Sequence, residues 1–401
     1  MKTWILIVFL SLLAVCGARL SDPLLGTDFP DFYCAARMLA EGRGHQLYDA
    51  ALQRQYQARY AGRVGTLYIH PPFEAALYLA VAWLPLRRAY LLWSFLNLAF
   101  LAVAARHLAK EALPSWDWRM SLAASLTFVP LLLCLVQGQD SLLLLLLVVF
   151  AFTALRHGRA FAAGGWLGLG LFKFHLLLPL VLVLVLTQSR NPRNALAKGF
   201  SVVALVLAGL SAAISGWSVF AVYPRFLVHL QAQPFAGIIP QAMANFRGLT
   251  SFLFHREQSP WAVAAVSILP AAALIKTLTV WKRARLASPP SAAANTQDEF
   301  DLAFANTILF ALLVSYHLNP HDLSLLLLPI VLLLRRAFAQ TPCRWPPANW
   351  VSIGLLAVLF LPPLHLWALK AGVYGLLSIP VLSLFMISAA IARPSKAAGV
   401  S

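Results

Sequence analysis

Long apolar runs broken by short polar loops recur along almost the whole chain. Residues 141–154 (SLLLLLLVVFAFTA) and 176–187 (LLLPLVLVLVLT) carry no charge at all, the composition of helix buried in hydrocarbon. Nowhere do apolar and polar residues alternate at period two over the length of a barrel strand, which excludes a transmembrane barrel. The pattern predicts an all-α polytopic membrane protein, a single integral membrane domain over residues 1–401.

The loops between the runs are of two kinds. One kind is basic: Arg106/Lys110/Arg119, Arg156/Arg159, Arg190/Arg193/Lys198, Lys282/Arg283/Arg285, Arg335/Arg336/Arg344 and Arg393/Lys396. The positive-inside rule puts these in the cytoplasm together with Lys2. The other kind is rich in Asp, His, Asn, Gln and aromatics: residues 19–88, 137–140, 173–175, 216–259, 317–322 and 362–370. Alternating the two predicts about twelve transmembrane helices with both termini cytoplasmic in a cell (inner or plasma) membrane. Residues 160–188 lie between two basic loops and must cross twice, as a tight hairpin with Lys173 and His175 at its outer turn. Residues 73–85 are apolar but short, and read as a juxtamembrane or re-entrant helix.

The first outer loop, residues 19–88, holds two further predicted helices. One runs from about Pro30 or Asp31 to Glu41 and stops at Gly42; the other starts after an Asp49 N-cap and stops at Gly62. Residues 216–259 form a second outer loop, and residues 287–300 (ASPPSAAANTQDEF) a cytoplasmic linker by composition. Residues 4–15 after Lys2 read as a retained first span rather than a signal peptide.

Composition adds little to this picture but closes some doors. Sixty per cent hydrophobic residues, 11% charged residues and a mean hydropathy of +0.75 exclude a soluble domain. The net charge of +17 sits in loops that set topology and touch anionic lipid, so it implies membrane lipids and no nucleic acid. Cys16, Cys34, Cys134 and Cys343 form no ligand spacing, so neither a disulfide frame nor a zinc site is expected.

The predicted topology has a chemical consequence. Asp28, Asp31, His70, Gln139, Asp140, Lys173, His175, Asn245, Arg247, His317, His321 and Asp322 all fall on the outer face. Only 14 acids occur in the chain, and ionisable groups at a bilayer boundary mark functional sites.

The motifs that carry these residues resemble a known family. Asp28-Phe-x-x-Phe-Tyr with Ala-Ala-x-x-Leu, Glu-Gly-Arg-Gly and Leu47-Tyr48-Asp49 is similar to the first loop of glycosyltransferase family 87. Pro71-Pro72-Phe, Trp93-x-x-x-Asn97-Leu, Gly138-Gln139, Lys173 after Gly-x-Gly-Leu-Phe, and His317-x-Asn319-Pro-His321-Asp322 continue the resemblance in order, over about residues 26–335. It implies the GT-C glycosyltransferase fold, a polyprenyl-phosphate-linked sugar donor with mannose as the family default, inversion at the sugar carbon, and a catalytic Asp in the first outer loop. It implies neither metal nor cofactor, and it leaves a lipid, glycan or protein acceptor open.

The chemistry asks for the same minimum set. An acceptor hydroxyl needs a base, and a departing phosphate needs hydrogen-bond donors or cations rather than a second acid. By position alone Asp28 suits a turn-former or a base; the resemblance assigns the base. Asp31 falls in a first helical turn, where a carboxylate is favoured by the dipole without any function, and stands as the possible second carboxylate. Lys173, in an apolar hairpin, requires an anionic partner unless it snorkels to the interface. It is the first candidate for the donor phosphate, with His321, His175, His70 and Arg247 after it. Gln139, Asp140, His317, Asn319 and Asp322 are candidates for sugar or acceptor hydroxyls, although Asp140 could simply cap the helix at Ser141. The rival classes are a secondary transporter or flippase of lipid-linked sugars, and a ligase- or polymerase-type transferase using a diphosphate-linked donor.

Overall fold

The computed structural model describes residues 28–62, 64–113, 116–231, 239–254, 259–286, 293–338 and 347–392. The expected first span, the loop up to residue 27, Cys16, Cys343 and residues 287–292 lie outside them. Residues 293–300, expected as the rest of a cytoplasmic linker, instead begin the helix Ala293–Val314, where Asp298 and Glu299 pair with Arg335 and Arg336. The described residues are helical, with no strand among them.

Two of the expected helices open the described chain. Helix α1 (Phe29–Ala40) has Asp28 at its N-cap and Pro30 in its first turn, and Gly42 follows with φ 74°. Helix α2 (Ala50–Ala61) is capped by Asp49, whose Oδ1 accepts from the amides of Ala51 and Leu52 at 2.9 and 3.1 Å; each such cap contributes about 1 kcal/mol. Residues 73–85 form two short helices, α3 (Pro72–Leu77) and α4 (Leu79–Ala82). Neither is long enough to cross a bilayer, which takes about 20 residues.

Long helices follow: α5 (Leu86–Ala112), the bent pair α6 (Trp118–Ser125) and α7 (Val129–Gln137), α8 (Ser141–Arg156), α9 (Ala160–Leu169), α10 (Phe174–Thr187) and α11 (Arg190–Ser215). Then come α12 (Val219–Gln231), α13 (Phe246–Phe254), α14 (Pro260–Leu286), α15 (Ala293–Val314), α16 (Leu327–Phe338), α17 (Pro347–Leu359), α18 (Pro362–Lys370) and α19 (Ser378–Ile391). Among the described residues, five helical stretches are long and apolar enough to cross a membrane, or up to seven if each bent pair is one span. That is a multi-pass membrane protein, with fewer crossings by length and composition than the twelve expected.

Length and composition also treat Ala160–Thr187 as one stretch, but packing folds it back. Leu196 and Phe200 lie against Gly164, and Val203 against Gly168, so α11 runs parallel to α9. A straight helix would put residue 187 about 35 Å from residue 164, too far for residue 196 to touch Gly164. The reversal falls in the 3-10 turn Gly170–Lys173. A Cβ on Gly164 would lie 2.0 Å from the Leu196 carbonyl oxygen, and one on Gly199 2.0 Å from that of Phe161. Glycine at these two positions is therefore what lets the backbones approach.

The helices shuttle between two ends. At one end Arg156 pairs with Asp301 at 3.4 Å, Arg335 with Asp298 at 2.8 Å and also with Asp301, and Arg336 with Glu299 at 3.0 Å. Arg283 reaches the Ala389 carbonyl at 3.4 Å and Arg156 also donates to the Glu111 carbonyl, so α5, α8, α14, α15, α16 and α19 all have an end here. The opposite end holds the α1–α4 segment, the Gly170–Lys173 turn and residues 315–322. Among the described residues, the basic loops at Arg156, Arg283 and Arg335/Arg336 thus lie at the opposite end from the Asp/His-rich segments.

Candidate active site

Asp28 and Gln139 are brought together by a glycine. Gly138 ends α7 in the left-handed region (φ 67°), and a Cβ there would lie 2.6 Å from Phe29 Cβ. Only a residue without a side chain lets this turn press against the start of α1. Gln139 follows, its backbone carbonyl held by Asn97 Nδ2 at 2.9 Å. Its Nε2 donates to Asp28 Oδ2 at 2.7 Å, and its Oε1 accepts from Lys173 Nζ at 3.4 Å. One carboxamide therefore separates Asp28 from Lys173.

Lys173 is buried, with Nζ 3.0 Å from Asp322 Oδ1 and 3.2 Å from Asp140 Oδ1. Its charge is balanced by two buried carboxylates, and it also donates to Gln139. Lys173 thus has the anionic partners its position demanded, and they come from the protein. Ser141 Oγ donates to Asp322 Oδ1 at 2.8 Å, and Asp322 Oδ2 accepts from the Asn319 amide at 2.9 Å. Asp140 makes no cap to α8 with its side chain.

Asp28, Asp31, His70, Gln139, Lys173, His175, His317, Asn319 and Asp322 line a single cavity of about 350 Å³. Asp31 takes hydrogen bonds from Gln57 Nε2 at 2.9 Å and from the Thr66 hydroxyl, tying α1 to the 64–68 segment. Three predicted residues are not on the cavity wall. Asp140 lies beneath Lys173. His321 is fully buried, its Nδ1 2.6 Å from Gln137 Oε1 and its Nε2 3.5 Å from Asp322 Oδ1. Arg247 sits over the ring of Tyr316 at 4.3 Å, and Tyr316 does line the cavity.

Hydrogen bonding fixes which imidazoles donate. The Ser315 hydroxyl gives its proton to the His317 carbonyl at 2.8 Å, so its oxygen accepts from His175 Nδ1–H at 2.9 Å. His175 Nε2 is then an acceptor. The Asn319 carboxamide donates to His317 Nε2 at 3.3 Å, which leaves the proton of His317 on Nδ1. Burial, with Lys173 and Arg247 adding, lowers the His317 pKa to about 4, so the ring is neutral at physiological pH.

Sequence reasoning missed Glu74, Gln57, Thr66 and the aromatic wall of Phe32, Tyr223 and Tyr316. Glu74 lay inside the apolar 73–85 run, next to the quoted Pro71-Pro72-Phe, and a lone acid there was a signal. Asp28, Asp31 and Asp140 share no centre: among the described residues no three His, Cys, Asp or Glu side chains are placed to hold a metal.

A multi-pass helical bundle with a carboxylate-bearing cavity at one end defines a membrane protein with a candidate site at that end. Residues 68–315, more than half of the chain, match glycosyltransferase family 87. The chain belongs to this family and is a membrane glycosyltransferase. No curated protein matches it. His70, Gln139, Asp140, Lys173, His175 and Arg247 lie within the matched residues; Asp28, Asp31 and residues 317–322 lie outside them.

Proposed function

We propose that the protein transfers a hexose, mannose by the family resemblance, from a polyprenyl-phosphate donor to an acceptor hydroxyl at the outer face of the membrane, with inversion. Asp28 takes the acceptor's proton as its oxygen attacks the anomeric carbon. The bond from that carbon to the phosphate oxygen breaks on the opposite face, and its electron pair leaves with the phosphate. Lys173 is spent on Asp140, Asp322 and Gln139, so it organises the site from beneath. His317 Nδ1–H, with Arg247 at the mouth, meets the phosphate.

The observation that carries this reading is the Asp28–Gln139–Lys173 bridge at one wall of the carboxylate-bearing cavity. An acyclic lipid tail is supported by a second feature. An open apolar groove of about 710 Å³ runs between α10 and α14, lined by Leu178, Leu182, Pro270, Ala271, Phe310 and Val314. Leu178 is one turn beyond His175, and Val314 adjoins Ser315, so the groove starts where the cavity ends. Shorter helices such as α8 and α16 run between the same two ends as the long spans, which supports about twelve crossings and the GT-C fold.

The test is transfer by the full chain in lipid nanodiscs, supplied with polyprenyl-phosphate mannose and a glycan acceptor. Release of polyprenyl phosphate reports cleavage, which a flippase or secondary transporter would not catalyse. Asp28→Asn should lower turnover by about a hundredfold or more while still binding the donor. Full activity in Asp28→Asn would remove Asp28 as the base.

A further inference from the structure

Glu74 lies one helical turn beyond His70 at the start of α3 and has no exposure to solvent. Its Oε1 is 3.0 Å from His70 Nδ1, and the buried Asp140 carboxyl is near enough to act on it electrostatically. Neither oxygen of Glu74, and neither of Asp140, receives a directed hydrogen bond among the described residues. A buried carboxyl without its own cation takes up a proton rather than stay charged. Burial, with the Asp140 charge next in size, holds the Glu74 pKa well above its ordinary value, against the weaker pull of Lys173.

Where that proton goes decides what His70 can do. The Asp140 carboxylate is an anionic acceptor, and an O–H···O⁻ bond is roughly twice as strong as a neutral one. Asp140 therefore takes the Glu74 proton, and Glu74 Oε1 is left as a carbonyl-like acceptor facing His70. The His70 ring proton must then sit on Nδ1. Burial lowers the His70 pKa to about 3, with Lys173 and His317 lowering it and Asp140 and Asp322 raising it, so the ring stays neutral and its Nε2 carries a lone pair. The ring is clamped by Phe32 and Tyr68, centroids at 4.8 and 5.5 Å, and it lines the cavity.

We propose that Glu74 is a positioning residue that donates to Asp140 and accepts from His70 Nδ1–H, so that His70 offers Nε2 to a sugar hydroxyl. This rests on the glycosyl-transfer reading but changes the part His70 plays in it. An acceptor-only nitrogen opposes the lone pairs of a phosphate diester oxygen and welcomes the O–H of a pyranose. His70 is thereby moved from the phosphate to the carbohydrate.

Three variants test it in the full chain in nanodiscs: Glu74→Gln, Glu74→Met and His70→Ala. Gln reproduces the neutral acid, with an N–H for Asp140 and a carbonyl for His70, so E74Q should transfer sugar within about threefold of wild type. E74M and H70A should raise KM about tenfold for the donor sugar or for the acceptor, the loss of one hydrogen bond with its partner left unpaired. The substrate whose KM moves identifies whose hydroxyl is bound. Binding of polyprenyl phosphate lacking sugar should change less than about twofold in H70A. An E74Q as damaged as E74M, or an H70A that loses sugar-free polyprenyl phosphate tenfold, overturns the proposal.

A second arm needs no substrate. Because the folded-state pKa of Glu74 is raised above the unfolded 4.5, the unfolded chain gains by ionising as pH rises. Wild type should therefore lose thermal stability relative to E74Q between pH 5 and 8. A difference that stays constant or reverses over that range overturns the neutral-acid assignment. A wild type that shows this trend but transfers no sugar would sink the proposed function and leave the Glu74 protonation standing.

Discussion

At the residue scale, the site depends on one carboxamide. Gln139 donates to Asp28 with one atom and accepts from Lys173 with the other, so a change there alters the base without touching it. Gln139→Glu replaces a donor with a second carboxylate beside Asp28, and a like charge raises a carboxyl pKa. The acidic limb of the kcat/KM profile should move to higher pH in this variant, with turnover at neutral pH reduced about tenfold or more. A pH–rate profile superimposable on wild type would mean that Asp28 is not the titrating base. Sequence alone pointed to Asp28, Lys173 and Gln139 because acids, amides and lysines are conspicuous among apolar residues. It could not show that Lys173 was already paired, since Asp140 and Asp322 stand 33 residues before it and 149 residues after it. Glu74 escaped because its partners, His70 and Asp140, acquire meaning only through contact.

At the element scale, the legible parts were those set by local rules. Asp49 and Gly62 bound α2 through a cap and a left-handed residue, and the reversal at Gly170–Lys173 followed from basic loops on both sides. What local rules could not supply was the groove between α10 and α14, which exists only because helices 80 residues or more apart in sequence pack side by side. A long isoprenoid lying in that groove adds apolar contact that a short one cannot make, at about 0.8 kcal/mol per buried CH₂. Ala271→Trp fills the groove beside Leu178 and Phe310. It should raise KM for a long polyprenyl-phosphate sugar about tenfold or more while leaving a two- or three-isoprene analogue within about threefold. Equal losses for both chain lengths would place the tail elsewhere.

At the scale of the whole molecule, the two ends differ in charge, and the positive-inside rule turns that difference into an expected orientation. Arg156, Arg283, Arg335 and Arg336 gather at the end away from the cavity, paired with Asp298, Glu299, Asp301 and the helix-terminal carbonyls. The cavity end is not free of arginine: Arg37, Arg43, Arg54, Arg59, Arg87 and Arg88 all belong to it. A simple count of basic residues would leave the orientation open. The positive-inside rule, however, weighs short loops, and segments longer than about 60 residues translocate largely regardless of charge. All six of these arginines belong to such a segment, residues 19–88, and two of them are engaged within it. Arg37 lies 4.4 Å over the Tyr60 ring and bonds the Ala82 carbonyl at 3.1 Å, and Arg59 lies 5.0 Å from that same ring. The rule then rests on the short loops, among them the one at Arg156 and Arg159, and the orientation we propose has these in the cytoplasm and the cavity outside. Single cysteines in a background without the native four test this directly. Val64→Cys, at an exposed position (54%) near the cavity, should react with a membrane-impermeant maleimide in intact cells. Arg159→Cys, exposed in the short basic loop, should react only after permeabilisation. The reverse pattern would turn the cavity toward the cytoplasm, where the donor head group proposed for it would have to be presented from the opposite leaflet.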